Sequence, residues 1–170
     1  TYAFLQGHEA LLAGHNKQWA KLWESNIEIE GDAQANQDIH NMLYHLYASV
    51  SELHSFSLSP YGLSHTGYMG HIFWDTEMWM YPPLLLLHPE IAKNLLNYRY
   101  QRLERAQHNA ALHGYQGAMF PWESAASGEE DTPVWALTGT YEHHITADVA
   151  IAVWNYYCVT KNKEWLRCIG

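Results

Sequence analysis

The stretch from Glu142 to Val159 carries apolar side chains in almost every helical direction, with an unbroken apolar run from Val149 to Trp154. A helix that is hydrophobic all round has to be covered on more than one side. A double ring of helices provides such cover. Elsewhere the chain shows no convincing strand pattern. The sequence therefore predicts an all-α fold in which this segment lies between other helices.

Three further helices are predicted from apolar residues at helical spacing, over Gly7–Trp23, Ala33–Val50 and Pro89–His113. Asp32 is expected to cap the second of these, and Gly114 to end the third. With the final apolar helix and a dense aromatic segment, about five helices joined by long loops are expected. Long loops in a compact domain are usually functional.

The composition narrows the class of ligand. Aromatic residues make up 14% of the chain, and their rings suit the flat apolar faces of sugars and bases. The formal net charge of −9 argues against phosphate backbones, which need clustered Lys and Arg. No run of about 18 apolar residues is present, so no membrane span is expected. The His and Cys residues lack metal-ligand spacing, so no metal site is expected.

Two segments place a carboxylate next to a tryptophan, namely Trp74-Asp75 and Trp122-Glu123. A buried carboxylate without a partner is costly, so each needs one. Asp75 either caps the start of a helix or accepts hydrogen bonds from sugar hydroxyls while Trp74 packs on the ring. Glu123 repeats the arrangement in an irregular loop, and the acidic run at 129–131 is expected to be solvated. Rings beside carboxylates indicate a carbohydrate site.

Arg99 interrupts an apolar helical stripe and therefore needs a carboxylate partner. The candidates are Asp75, Glu77 and Glu123. A structural ion pair and a contact with a ligand are both open for Arg99. Glu142, at the start of the final helix, is expected to satisfy backbone N–H groups there.

Four motifs occur in order along the chain: GHIFWDTEMWMYP (Gly70–Pro82), NYRYQRLERAQHNA (Asn97–Ala110), GYQGAMFPWESAASGEEDTP (Gly114–Pro133) and EHHITADVAIAVWNYY (Glu142–Tyr157). This series resembles glycoside hydrolase family 65. That family includes kojibiose, trehalose and maltose phosphorylases, acid trehalases, kojibiose hydrolases and the glucosidase acting on glucosylgalactosyl-hydroxylysine. The segment His15–Tyr47 is similar to the family's sequence upstream of these motifs, so the resemblance covers nearly the whole chain.

The resemblance implies an all-α chain that forms part, about half, of an (α/α)6 barrel. Residues 1–170 would be the first part of that catalytic domain, truncated at the C-terminal end. The family's general acid lies in a PDEYH-type motif that this sequence lacks, so no catalytic residue is expected in the segment. Trp74, Asp75, Trp122 and Glu123, and by a looser match Arg99, are expected to bind the glucose.

The implied activity is hydrolysis, with inversion, of a terminal α-glucosidic bond in a disaccharide or a glucosylated acceptor. Phosphorolysis of an α-glucoside, with inorganic phosphate as co-substrate, is the alternative, and a non-catalytic sugar-binding helical module is a further one. No cofactor, nucleic acid or membrane partner is expected. Because half a barrel leaves an apolar flank uncovered, a homo-oligomer is expected. Cytoplasmic and periplasmic locations are both left open.

Overall fold

The computed structural model describes residues 7–169, which divide after Tyr47 into two compact units. All the regular elements in these residues are helical, and their β pairing is confined to two isolated bridges at Ser124. The predicted all-α character is confirmed. Within residues 7–169, no helix combines the length and the apolar character that crossing a bilayer requires.

The first unit holds α1 (His8–Leu22) and most of α2 (Ala33–Ala48). Asp32 caps α2 as predicted, because its carboxylate accepts hydrogen bonds from the backbone N–H groups two and three residues later, at 3.1 and 3.0 Å. The buried Tyr47 donates its hydroxyl proton to the backbone oxygen of Ser25 at 2.8 Å. This bond ties the end of α2 to the loop that follows α1.

The second unit contains, in order, a 3-10 turn (Gly67–Gly70), a π-helix (Thr76–Met80), α3 (Tyr81–Leu87), α4 (Pro89–Tyr100), α5 (Leu103–Leu112), a second 3-10 turn (Gly139–Tyr141), α6 (His144–Thr160) and α7 (Lys163–Ile169). Helix α6 contacts the π-helix, α3, α4 and α7. On α3, the buried Tyr81 hydroxyl donates to the backbone oxygen of Ala152 at 3.1 Å, which fixes α3 against α6.

Helix α6 is buried along one side and open along the other. Its buried residues include Ile145, Val149, Ala152 and Tyr156. In contrast, Ile151, Trp154 and Val159 are 48%, 58% and 46% exposed. Apart from the buried Asp148, the helix is therefore apolar on nearly every face as predicted, and the described residues of this unit cover one of its two sides.

The single helix predicted over Pro89–His113 is wrong, because the chain turns between α4 and α5. Arg102 leaves helical geometry there, with φ −112° and ψ 12°. Its guanidinium lies 3.8 Å from the centre of the Tyr98 ring and donates from Nε to the backbone oxygen of Ala126 at 2.8 Å. Tertiary contacts thus override the helical pattern, while Gly114 adopts φ +79° at the end of α5 as expected.

Candidate functional site

A cavity of about 320 Å³ lies in the second unit, beside the start of the π-helix. It is lined by Pro60, Tyr61, Tyr68, Phe73, Trp74, Asp75 and Trp122. Three of the five predicted site residues therefore meet in one space. The volume falls at the lower end of the roughly 300–1,000 Å³ typical of small-molecule sites.

The aromatic side chains of the cavity hold one another in place. The Phe73 ring meets Trp122 edge-on at 5.0 Å and Tyr68 at 4.9 Å. Tyr68 in turn stacks on Tyr61 at 5.5 Å with an interplanar angle of 14°. Such contacts lower the freedom of each ring, so the walls of the cavity are set before a ligand arrives.

The tyrosine wall depends on an unusual backbone at the 3-10 turn. Tyr68 and Met69 have φ values of 57° and 51°, in the left-handed region that L residues rarely adopt. The preceding Gly67 lies against Tyr61, and a Cβ there would come within 2.5 Å of that ring. Tyr61 and Tyr68 were not predicted as site residues from the sequence. The signal that the sequence offers is two tyrosines in an irregular loop, Tyr61 before Gly62 and Tyr68 after Gly67.

Asp75 lies at the start of the π-helix and is half-buried at the cavity wall. It makes no side-chain capping hydrogen bond. Of the two alternatives left open for this residue, the structure does not show the cap. The carboxylate is placed where it can accept hydrogen bonds from a ligand in the cavity.

Arg99 does not line the cavity; it forms a buried ion pair with Glu77. Its Nε and Nη2 donate to the two carboxylate oxygens of Glu77 at 2.7 and 3.0 Å, and Nη2 also donates to the backbone oxygen of Phe73 at 3.2 Å. Burial alone lowers the pKa of Arg99, but the charge and hydrogen bonds of Glu77 raise it by more, so the pKa lies above its ordinary value. Arg99 therefore fixes the segment that carries the cavity residues.

Glu123 is buried and does not line the cavity, although it follows Trp122 in the chain. Its Oε1 lies 2.8 Å from Nδ1 of His71, whose other ring nitrogen is 3.5 Å from Asp131. Side by side with this pair, the backbones of Ile72 and Ser124 exchange two hydrogen bonds. These backbone and side-chain contacts hold the segment before Trp74-Asp75 directly beside the segment that contains Trp122-Glu123.

A second contact between a histidine and a carboxylate, not anticipated from the sequence, lies beside Trp74. The His144 ring meets Trp74 edge-on at 4.9 Å, and its Nδ1 is 2.6 Å from the Asp148 carboxylate. Glu142 contacts the other ring nitrogen at 3.2 Å, so the predicted role of Glu142 at the helix start is not seen. The hydrogen bond with Asp148 is the largest cause that raises the pKa of His144, and the Glu142 carboxylate also raises it.

Within residues 7–169, no group of three or more His, Cys, Asp or Glu side chains is placed to hold a metal ion.

The expectation of a solvated acidic loop holds for Glu129 and Asp131, which are exposed. It is wrong for Glu130, whose half-buried carboxylate accepts hydrogen bonds from the backbone N–H groups of Trp122 and Glu123.

Comparison with known proteins places the chain among carbohydrate-active proteins. The family model for the glycosyl hydrolase family 65 central catalytic domain matches residues 40–170. The chain is 62% identical over 166 residues to the kojibiose hydrolase of Flavobacterium johnsoniae, covering 98% of this chain and 24% of that protein. It is 43% identical over 177 residues to the kojibiose phosphorylase of Thermoanaerobacter brockii, covering 97% of this chain and 23% of that protein.

Among solved structures, a putative kojibiose phosphorylase from the human microbiome matches with a TM-score of 0.87 at 25% identity, over 96% of this chain and 23% of that one. The predicted fold class, part of an (α/α)6 barrel, is confirmed. The share of the barrel and the C-terminal truncation stay predictions. The chain spans about a quarter of the length of the curated relatives it matches. These matches show that the chain belongs to glycosyl hydrolase family 65, as part of its central catalytic domain.

Proposed function

We propose that this segment forms the glucose-binding part of an enzyme that hydrolyses a terminal α-glucosidic bond with inversion. The observation that carries the proposal is the shared cavity, which Trp74, Asp75 and Trp122 line from two separate motifs. A pyranose ring has apolar faces and a rim of hydroxyl groups. Indole rings pack on the faces, and a carboxylate accepts hydrogen bonds from the rim.

In this proposal Asp75 and the tryptophans contribute affinity rather than proton transfer. Hydrogen bonds to an ionised carboxylate are roughly twice as strong as neutral ones. They raise the rate of bond cleavage where they are stronger in the transition state than in the bound substrate. Holding the glucose in one orientation also removes much of the entropic cost of the reaction.

The proton donor belongs, on this proposal, to a part of the protein outside the present chain. An inverting enzyme needs a general acid at the departing oxygen and an activated water on the opposite face of the sugar, with the two carboxyl groups about 6.5–9.5 Å apart. The PDEYH-type motif expected for the acid is absent from this sequence. The much greater length of the relatives supports its placement elsewhere.

Hydrolysis is favoured over phosphorolysis by the degree of similarity. The chain shares 62% of its aligned residues with a kojibiose hydrolase and 43% with a kojibiose phosphorylase. Phosphorolysis is kept as a second candidate because the solved structure with a TM-score of 0.87 is a putative kojibiose phosphorylase. The α-1,2-linked disaccharide kojibiose is the first substrate to test under either candidate. No cofactor is proposed, and inorganic phosphate enters only under the second candidate.

The experiment is a turnover assay on the complete open reading frame that contains this segment. Kojibiose, trehalose and maltose are incubated with the purified protein, with and without phosphate, and the products are followed by proton NMR. Hydrolysis predicts β-glucose release without phosphate. Formation of β-glucose 1-phosphate in its presence would establish phosphorolysis instead. Binding of glucose without any turnover would support the non-catalytic sugar-binding module.

A further inference from the structure

The geometry points to Glu130 as a positioning residue that holds Trp122 in the wall of the cavity. The inference rests on the proposed function, since it concerns the same glucose site. The Glu130 carboxylate accepts hydrogen bonds from the backbone N–H groups of Trp122, Glu123 and Thr132 at 3.2, 3.4 and 3.1 Å. The Thr132 hydroxyl donates to it as well. One half-buried carboxylate thus accepts hydrogen bonds from four donors, which lie in two segments of one loop.

The backbone of the loop explains why Glu130 reaches Trp122. Residues 123–131 fold back on themselves, with the Asp131 N–H donating to the Glu123 backbone oxygen and the Ala125 N–H donating to that of Glu129, both at 3.0 Å. Because the loop folds back in this way, the Glu130 side chain reaches the backbone N–H groups of Trp122 and Glu123. The bonds are charge-assisted, and hydrogen bonds to an ionised acceptor contribute more than neutral ones.

The indole of Trp122 is also confined by close packing. A Cβ added to Gly139 would lie 2.4 Å from Cε3 of Trp122 and 2.9 Å from the Thr132 methyl group. Glu130 therefore holds both the backbone of Trp122 and the threonine next to its indole. Phe73, at 5.0 Å edge-on, contacts the same indole within the cavity. Little freedom is left to the ring while Glu130 keeps its four donors.

The decisive variant is Glu130→Gln, which has the same shape but only one acceptor oxygen. Its NH2 group must face at least one of the backbone N–H donors that both carboxylate oxygens now serve. The readout is the Kd of 1-deoxynojirimycin, a glucose-shaped inhibitor, measured on the complete protein by calorimetry. The Kd is expected to rise by up to about tenfold, the loss expected for Trp122→Ala, because a Trp122 ring released from its position gives up its contact with the sugar. Glu129→Gln is the matched control, because that exposed carboxylate pairs with Arg105 instead, and its Kd should not change.

A double-mutant cycle separates positioning of Trp122 from a general loss of structure. In a Trp122→Ala background, Glu130→Gln should have no further effect on the Kd, because the ring that Glu130 positions is gone. An equal effect in both backgrounds would overturn the inference. If Trp122→Ala leaves the Kd unchanged, Trp122 is a packing residue and the inference fails together with that part of the proposed site; if only Glu130→Gln leaves it unchanged, the site stands and the inference alone fails.

A second variant covers the case in which Glu130→Gln does not fold. Thr132→Val removes one donor to Glu130 while keeping the methyl group beside Trp122. It should raise the Kd in the same direction by a smaller factor, about threefold. An unchanged Kd for folded Thr132→Val protein would then overturn the inference.

Discussion

Ile72 and Ser124 exchange a reciprocal pair of backbone hydrogen bonds, at 3.0 and 2.8 Å. The two residues lie 52 positions apart in the sequence, as do their neighbours His71 and Glu123. This short antiparallel contact brings the start of the π-helix beside the loop that carries Trp122. The side chains next to it extend the contact, since His71 bonds to Glu123. The cavity residues on either side are therefore held by main-chain bonds that side-chain substitutions do not remove.

Replacement of Asp75 by alanine is expected to lower kcat/KM in the complete enzyme by about a hundredfold, or roughly 3 kcal/mol. The reason is the loss of a charged acceptor for sugar hydroxyls in the transition state. Steady-state kinetics on kojibiose provides the measurement. Glu104→Ala, at an exposed position of α5, is the control and should retain full activity. Near-normal turnover of folded Asp75→Ala protein would remove this residue from the glucose site.

Replacement of Trp122 by alanine is expected to weaken inhibitor binding about tenfold, because the sugar loses an aromatic wall. Binding of 1-deoxynojirimycin should also change the tryptophan fluorescence of the unaltered protein, and this change should shrink in the variant. Trp135→Ala is the control, since that side chain is 80% exposed and does not line the cavity. Unchanged affinity would make Trp122 a packing residue.

The Arg99–Glu77 pair is expected to govern stability. Arg99→Met leaves a buried carboxylate without its partner and should lower the free energy of unfolding by about 3–5 kcal/mol. Urea denaturation followed by circular dichroism gives the value. For comparison, Lys93→Met removes a looser pair with Glu90, at 3.7 Å, and should cost under about 1 kcal/mol. A loss for Arg99→Met no larger than that of the control would contradict a structural role.

The His144–Asp148 contact is expected to make stability depend on pH. The folded-state pKa of His144 is raised, so its contribution is fully present below the ordinary value of 6.5 and is lost as pH rises through the raised pKa. The melting temperature of Asp148→Asn, compared with the unaltered protein, should therefore differ most at acid pH and least at alkaline pH. His143→Gln is the control, because that neighbouring exposed imidazole contacts Tyr115 instead. A difference that grows towards alkaline pH would refute the assignment.

The 170-residue chain on its own is expected to associate and to show no glycosidase activity. Its α6 helix exposes Ile151 and Trp154 by 48% and 58%, and contiguous apolar surface of this kind drives association. Size-exclusion chromatography with light scattering should give a mass above 19.6 kDa. A monodisperse monomer would count against the half-barrel prediction, and turnover would show that an acid lies within the chain.

Local patterns were enough to predict α6, the Asp32 cap and the end of α5 at Gly114, because each depends on residues close together in the sequence. The partner of Arg99 could not be chosen in advance. All three candidate carboxylates satisfy its charge, and only the folded structure shows that Glu77 of the π-helix lies within hydrogen-bond distance of Arg99. The break at Arg102 was missed for the same reason, since it depends on contacts with a distant loop.

The cavity was only partly predictable. Trp74, Asp75 and Trp122 stand out because a tryptophan beside a carboxylate is unusual, whereas Tyr61 becomes a wall residue only when Tyr68 adopts its left-handed backbone. Glu130 resembles a solvated residue because it lies in an acidic run. Three of the four groups that donate hydrogen bonds to it are backbone N–H groups, which the sequence of side chains does not reveal.

The π-helix Thr76–Met80 lies between Asp75 and α3. A π-turn holds one more residue than an α-turn, and each residue of an α-helix advances the chain by about 100° around the axis. Because both kinds of turn complete about one revolution, deleting one residue of the π-turn would convert it to ordinary helix with Asp75 and α3 keeping their relative directions. Deleting a residue from α3 would instead rotate the residues after the deletion by about that angle and move buried side chains such as Leu84 and Leu85 out of the core. A change in chain length should consequently be tolerated better in the π-helix than in α3.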